Sequence, residues 1–99
     1  MILIRVAYHT LPGKRDAFAA RIVEDGIMEA TRQEAGNLAY DFSIPLDKKD
    51  VVELLEMWES QEAVEVHCTQ PMFLHLRHMK QDYVDHSNIA MFDAQQREQ

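Results

Sequence analysis

Two stretches of this chain, Ile2–Thr10 and Val51–Trp58, carry apolar residues on both of their alternating faces, and a chain of 99 residues has few ways to cover both sides of such strands. In the first, Ile2, Ile4, Val6 and Tyr8 point one way and Leu3, Arg5, Ala7 and His9 the other. In the second, only Glu53 and Glu56 interrupt an apolar run. Strands of this kind call for cover on each face. The length suits one domain rather than two, and a domain of this size buries only about two-thirds of its unfolded surface. One layer of helices can cover one face. The other is expected to pack on a second copy of the chain, sheet against sheet about a two-fold axis.

The remaining sequence supplies the helical layer. Leu11-Pro12-Gly13 ends the first strand as a turn. From Lys14 to Glu34 the period becomes helical: Phe18, Ala19, Ile22, Val23, Gly26, Ile27 and Ala30 share one half of the wheel. Arg21, Glu24, Asp25, Met28 and Arg32 take the other half, with Arg21 and Asp25 one turn apart as an ion pair on the wet face. Gly26 costs a helix interior about 1 kcal/mol relative to Ala, and its place in the apolar stripe predicts close approach to the sheet. Gly36 is a helix stop. Asn37–Ile44 reads as a strand, Pro45–Asp50 as a charged connection and Val51–Trp58 as the hairpin partner. Ser60 caps a short helix reaching Cys68. Pro71 opens another reaching about Asp82, with Met72, Phe73, Leu76, Met79 and Tyr83 as its stripe. Ile89–Phe92 closes the pattern as a short strand. The order is strand, helix, strand, strand, helix, strand, which defines an α+β, ferredoxin-like βαββαβ sandwich. Dimerised through its sheet, it becomes an α+β barrel. Residues 1–93 are expected to form the domain and 94–99 a flexible tail.

Charge and composition narrow the function. A net charge of −7 with no local Lys/Arg cluster argues against nucleic-acid binding. No apolar run approaches the ~20 residues of a membrane helix, and Met1-Ile-Leu-Ile-Arg5 lacks the build of a signal peptide. Cys68 is the lone cysteine, as expected in a reducing compartment. The expected location is the cytoplasm.

Several segments together resemble a known family. They are Pro12-Gly13-Lys14 before the first helix, Glu34-Ala-Gly-Asn-Leu-Ala-Tyr40 entering the second strand, Glu56-Met-Trp58-Glu-Ser60 closing the third, and Ala63-Val-Glu-Val-His67 followed by Thr69-Gln-Pro-Met-Phe73. In this order and spacing the chain is similar to the antibiotic-biosynthesis-monooxygenase domain over residues 1 to 93. The resemblance implies a homodimer whose sheets face each other, with one pocket per subunit between sheet and helices and no cofactor. It implies activity of the quinol-oxidising or autoinducer-2-processing kind. The haem-degrading branch uses an Asn in the first strand, a Trp in the short helix and a His in the next. Here the matching region carries His9, His67 and Arg77, which points away from haem.

Oxygenation without flavin or metal requires a substrate that is itself a reductant, a base for its phenolic proton and a dry apolar pocket. His67 is the expected base, since an imidazole with its ordinary pKa of about 6.5 needs little tuning. Glu56 and Trp58 share one face of the third strand with Leu54 and complete the catalytic candidates. Tyr40, Met72, Phe73, Leu76 and Arg77 are the expected substrate contacts. His75, His78 and Asp82 share a helix flank, but without a His-x-x-x-His or Cys-x-x-Cys spacing a solvated face is expected there and no metal. Cys68 reads as a buried small hydrophobe. Two other functions fit the same residues. An isomerase or processing enzyme for a small phosphorylated molecule would use Arg77 and Lys80, and a non-catalytic binder would release its ligand unchanged.

Overall fold

The computed structural model describes residues 1–98. Four strands, β1 (Ile2–Thr10), β2 (Asn37–Ser43), β3 (Val51–Trp58) and β4 (Val84–Asp93), form one antiparallel sheet in the order β2-β3-β1-β4. The helices α1 (Arg15–Glu24), α2 (Ile27–Arg32), α3 (Gln61–His67) and α4 (Pro71–Met79) complete the chain, and a 3-10 turn, Lys80–Asp82, leads from α4 into β4. This is the α+β ferredoxin-like architecture that the element order predicts. The core lies between the sheet and helices. Ile4, Val6 and Tyr8 of β1 and Val52, Leu54 and Trp58 of β3 meet Phe18, Ile22 and Ile27 there, all buried. Among the described residues no helix is long and apolar enough to cross a membrane.

The expected single helix over residues 14–34 is two helices. Gly26 adopts a left-handed φ of +69° and stands at the N-terminus of α2, and a Cβ placed on it would meet nothing within 4 Å. It therefore breaks the helix rather than admitting the sheet. Beyond the break Met28, expected outside, packs on the core; before it Val23, expected inside, is 64% exposed. Arg21 and Asp25, upstream of the break, pair as expected at 3.0 Å.

The last strand is longer than its apolar signal. Only Ile89–Phe92 reads as a strand, yet β4 pairs along the whole of β1, from Ile2 opposite Asp93 to Thr10 opposite Val84. As an edge strand it tolerates the polar run Asp85–Asn88 that conceals it in sequence. Ala94 and Met1 exchange backbone hydrogen bonds of 2.8 and 3.1 Å just beyond the ladder. Gln99, the last residue of the expected tail, lies outside the described residues.

Two predicted end signals act as expected. The Ser60 Oγ accepts the Ala63 N–H at 3.2 Å, and Pro71 occupies the first turn of α4.

Candidate functional site

The site grows from the end of β3. Alternation turns Leu54, Glu56 and Trp58 toward the helices, where all three are buried. The Trp58 indole N–H donates to Glu56 Oε1 at 3.0 Å. Two residues later Ser60 starts α3, whose inner face carries Val64 and His67 one turn apart. His67 is thereby set over the inner face of β3. Its ring lies 4.5 Å from Trp58 and meets Phe73 edge-on at 5.2 Å and Tyr40 edge-on at 6.0 Å, centroid to centroid.

Both nitrogens of that ring face carboxylates. Nδ1 is 2.9 Å from Glu34 Oε1, and Nε2 is 3.7 Å from Glu56 Oε1. A carboxylate only accepts, so with Glu34 ionised the Nδ1–H tautomer donates to it, and in that tautomer the Nε2 lone pair faces Glu56 and the cavity. Gly36 makes this arrangement possible. It has a φ of +82°, a Cβ there would stand 2.7 Å from Ala63 Cβ, and its carbonyl accepts the Glu59 N–H at 2.8 Å. The connection from α2 to β2 is thus clamped against the start of α3, which holds Glu34 within reach of His67.

His67 and Glu56 open onto a cavity of about 320 Å³ between sheet and helices. Its wall is mainly apolar, with Ile4, Val6, Val64, Leu76, Ile89 and Met91 among its residues. Burial pushes the Glu56 carboxyl above the usual carboxylate range, and the Trp58 N–H and His67 only partly offset this. Burial, with a contribution from Glu56, also pushes the Tyr8 hydroxyl well up, so Tyr8 remains a neutral O–H donor on the wall.

Of the residues singled out in sequence, the structure brings His67, Glu56, Phe73, Leu76 and Arg77 together on this cavity. Trp58 and Tyr40 are not on its wall. Both are almost fully buried behind it, Trp58 bonded to Glu56 and Tyr40 against the His67 ring. Met72 packs on the core instead of the cavity. His67 is held by a carboxylate, not by the backbone carbonyl that a helix-end histidine would ordinarily find. Cys68 is a correction: the thiol is exposed at the cavity rather than buried, and desolvation together with Glu56, Glu34 and Glu65 raises its pKa, which disfavours a thiolate nucleophile. His75 is bonded to Asp25 at 2.6 Å, and His78 and Asp82 are exposed.

Sequence reasoning missed Glu34, Tyr8, Ile89 and Met91. Tyr8 was legible as a core-facing residue of β1. Glu34 had no local mark beyond its place just before the helix-stopping Gly36.

Fold and site together define a small α+β domain with a ligand-sized, largely apolar cavity and a carboxylate-oriented imidazole on its wall. The family model for antibiotic biosynthesis monooxygenase matches residues 1–79. The chain belongs to that family. It resembles the crystal structure of an antibiotic biosynthesis monooxygenase at 23% identity and a TM-score of 0.83, covering 97% of this chain and 100% of the other. A Pseudomonas aeruginosa protein matches at 19% identity and a TM-score of 0.84, over 96% of this chain and 94% of its own. A Mycobacterium tuberculosis protein matches at 21% identity and 0.84, over 97% and 96%. No curated protein matches the chain.

Proposed function

We propose that the protein is a cofactor-independent monooxygenase that oxidises a small quinol or phenol with O₂. One observation carries this reading: His67 has its Nδ1 engaged by Glu34 and its Nε2 directed toward Glu56 and an apolar cavity. Nε2 takes the proton of a bound hydroxyl, and the imidazolium formed is stabilised by the carboxylates on either side. The phenolate left against a mainly apolar wall is a reductant toward O₂. Family membership supports the same reading. Arg77 and Lys80, which isomerisation of a phosphorylated sugar-like molecule would use, do line the cavity, but the rest of the wall is mainly apolar and suits an aromatic ring better than a polyol.

The test is oxygen uptake with a panel of hydroquinones and phenols. The reading expects uptake above the spontaneous rate with at least one of them, and uptake at the spontaneous rate for every member would overturn it.

We also infer that the chain works as a homodimer through the outer face of the sheet. That face presents Leu3, Leu55, Met57 and Phe92, with Leu55 and Phe92 exposed and Leu3 and Met57 half-buried. Arg5 and Glu53 lie on the same face and form no ion pair among the described residues, so a two-fold axis could bring one to the other's copy. Sedimentation should give a dimer for the wild type and a monomer for Leu55→Asp. A monomeric wild type would contradict the inference.

A further inference from the structure

The cavity has a second, oppositely charged end. Phe73, Leu76, Arg77 and Lys80 recur at helical spacing along α4 and the 3-10 turn that follows, and all four face the cavity. Phe73 touches the His67 ring, whereas the Lys80 Nζ lies 5.7 Å from the centroid of the Tyr8 ring. The helix therefore runs from the imidazole toward Tyr8. The sheet gives the same direction, because Glu56 stands opposite Ile4 and Val52 opposite Tyr8 on paired strands. At a helical rise of about 1.5 Å per residue, Arg77 and Lys80 follow Phe73 by roughly 6 and 10 Å. One substituted aromatic ring spans that interval.

Neither Arg77 nor Lys80 forms an ion pair among the described residues, although the chain carries a net charge of −7. Arg77 is exposed and Lys80 half-buried, so two cations without an ion-pair partner stand at the mouth of a mainly apolar cavity, where an anion on a bound ring can meet them. Arg77 offers a planar fork and Lys80 a mobile point charge.

Resting on the reading of His67 as the base, the geometry points to a phenolic substrate with an anionic substituent, a carboxylate or a phosphate, across the ring from the reacting hydroxyl. The hydroxyl meets His67 Nε2 and the anion meets Arg77 and Lys80. The acidic group selects the substrate and orients it, so that the hydroxyl is delivered to the base.

Calorimetric titration under anaerobic conditions, where no phenol can be turned over, tests this. 4-Hydroxybenzoate and 4-hydroxyphenyl phosphate are compared with 4-hydroxybenzamide, the uncharged isostere, on the wild type and on an Arg77→Gln/Lys80→Gln double variant. At least one anion should bind about tenfold or more tighter than the amide to the wild type, and which one does so identifies the substituent. In the double variant that preference should shrink to about threefold or less, while Arg77→Lys, which retains the charge, should keep most of it. Equal binding of anion and amide, no binding of either anion, or an undiminished preference in the double variant would overturn the inference. Equilibrium binding requires no turnover, so this outcome is independent of whether oxygen uptake is found.

Discussion

Two imidazole–carboxylate pairs sit in the helical layer, and they differ mainly in where they are placed. His67 and Glu34 meet at 2.9 Å with side chains 5% and 15% exposed, while His75 and Asp25 meet at 2.6 Å at 40% and 19%. The second pair lies on the surface, where Arg21 also holds Asp25 and water screens the charges. The first is enclosed by Trp58, Phe73 and Tyr40 and borders an apolar cavity with Glu56 beside it. Near-identical hydrogen bonds thus serve different ends. One ties α4 to the end of α1, and the other orients a base. Distance alone does not separate them; burial and the neighbouring cavity do.

That contrast can be broken at the backbone. Gly36→Ala would force a Cβ onto Ala63 at a positive φ, at a cost of about 1–3 kcal/mol. Chemical denaturation should show this loss. Because α3 must shift to make room, the His67–Glu34 pair should loosen while His75–Asp25 is untouched. A smaller effect is expected from Glu34→Gln, which keeps the shape but removes the carboxylate that fixes the tautomer. It should lower kcat roughly tenfold, whereas Asp25→Asn should leave kcat unchanged.

The smallest effects, on stability against pH, should have opposite signs in the two regions. The folded Glu56 carboxyl lies above its ordinary range, so folding takes up a proton there. Its contribution is fully present in acid and is lost as pH rises through the raised value. Asp25 is held below its ordinary range, first by the hydrogen bond from Arg21 and next by His75. Its contribution is present above the ordinary value and is lost as pH falls. Melting temperatures followed against pH should show Glu56→Gln gaining on the wild type toward neutrality. Asp25→Asn should instead converge with the wild type in acid.

The fold was legible because its evidence is periodic. The apolar alternation in Ile2–Tyr8 and Val51–Trp58 and the stripe through Phe18 and Ile22 each repeat over several residues, and packing preserves them. What escaped was set by single residues or by distant contacts. Gly26 interrupts a pattern whose spacing continues on both sides, so only its left-handed φ discloses the break. The polar start of β4 is hidden because an edge strand requires pairing but not burial. At the site, His67 and Glu56 were visible as ionisable residues on core-facing positions. Glu34 was not, since it reaches His67 across 33 residues through a loop whose course depends on Gly36. Cys68 was misplaced by its composition: as the C-terminal cap of α3 it turns outward although thiols are usually buried.

His67, and not His75, is the proposed base. The most direct measurement is the rate of oxygen consumption by wild type, His67→Gln and His75→Gln with the best substrate of the panel. His67→Gln should lose about 10²- to 10⁴-fold in kcat and His75→Gln should stay within about twofold of the wild type. Full activity in His67→Gln, or equal losses in both variants, would contradict that assignment.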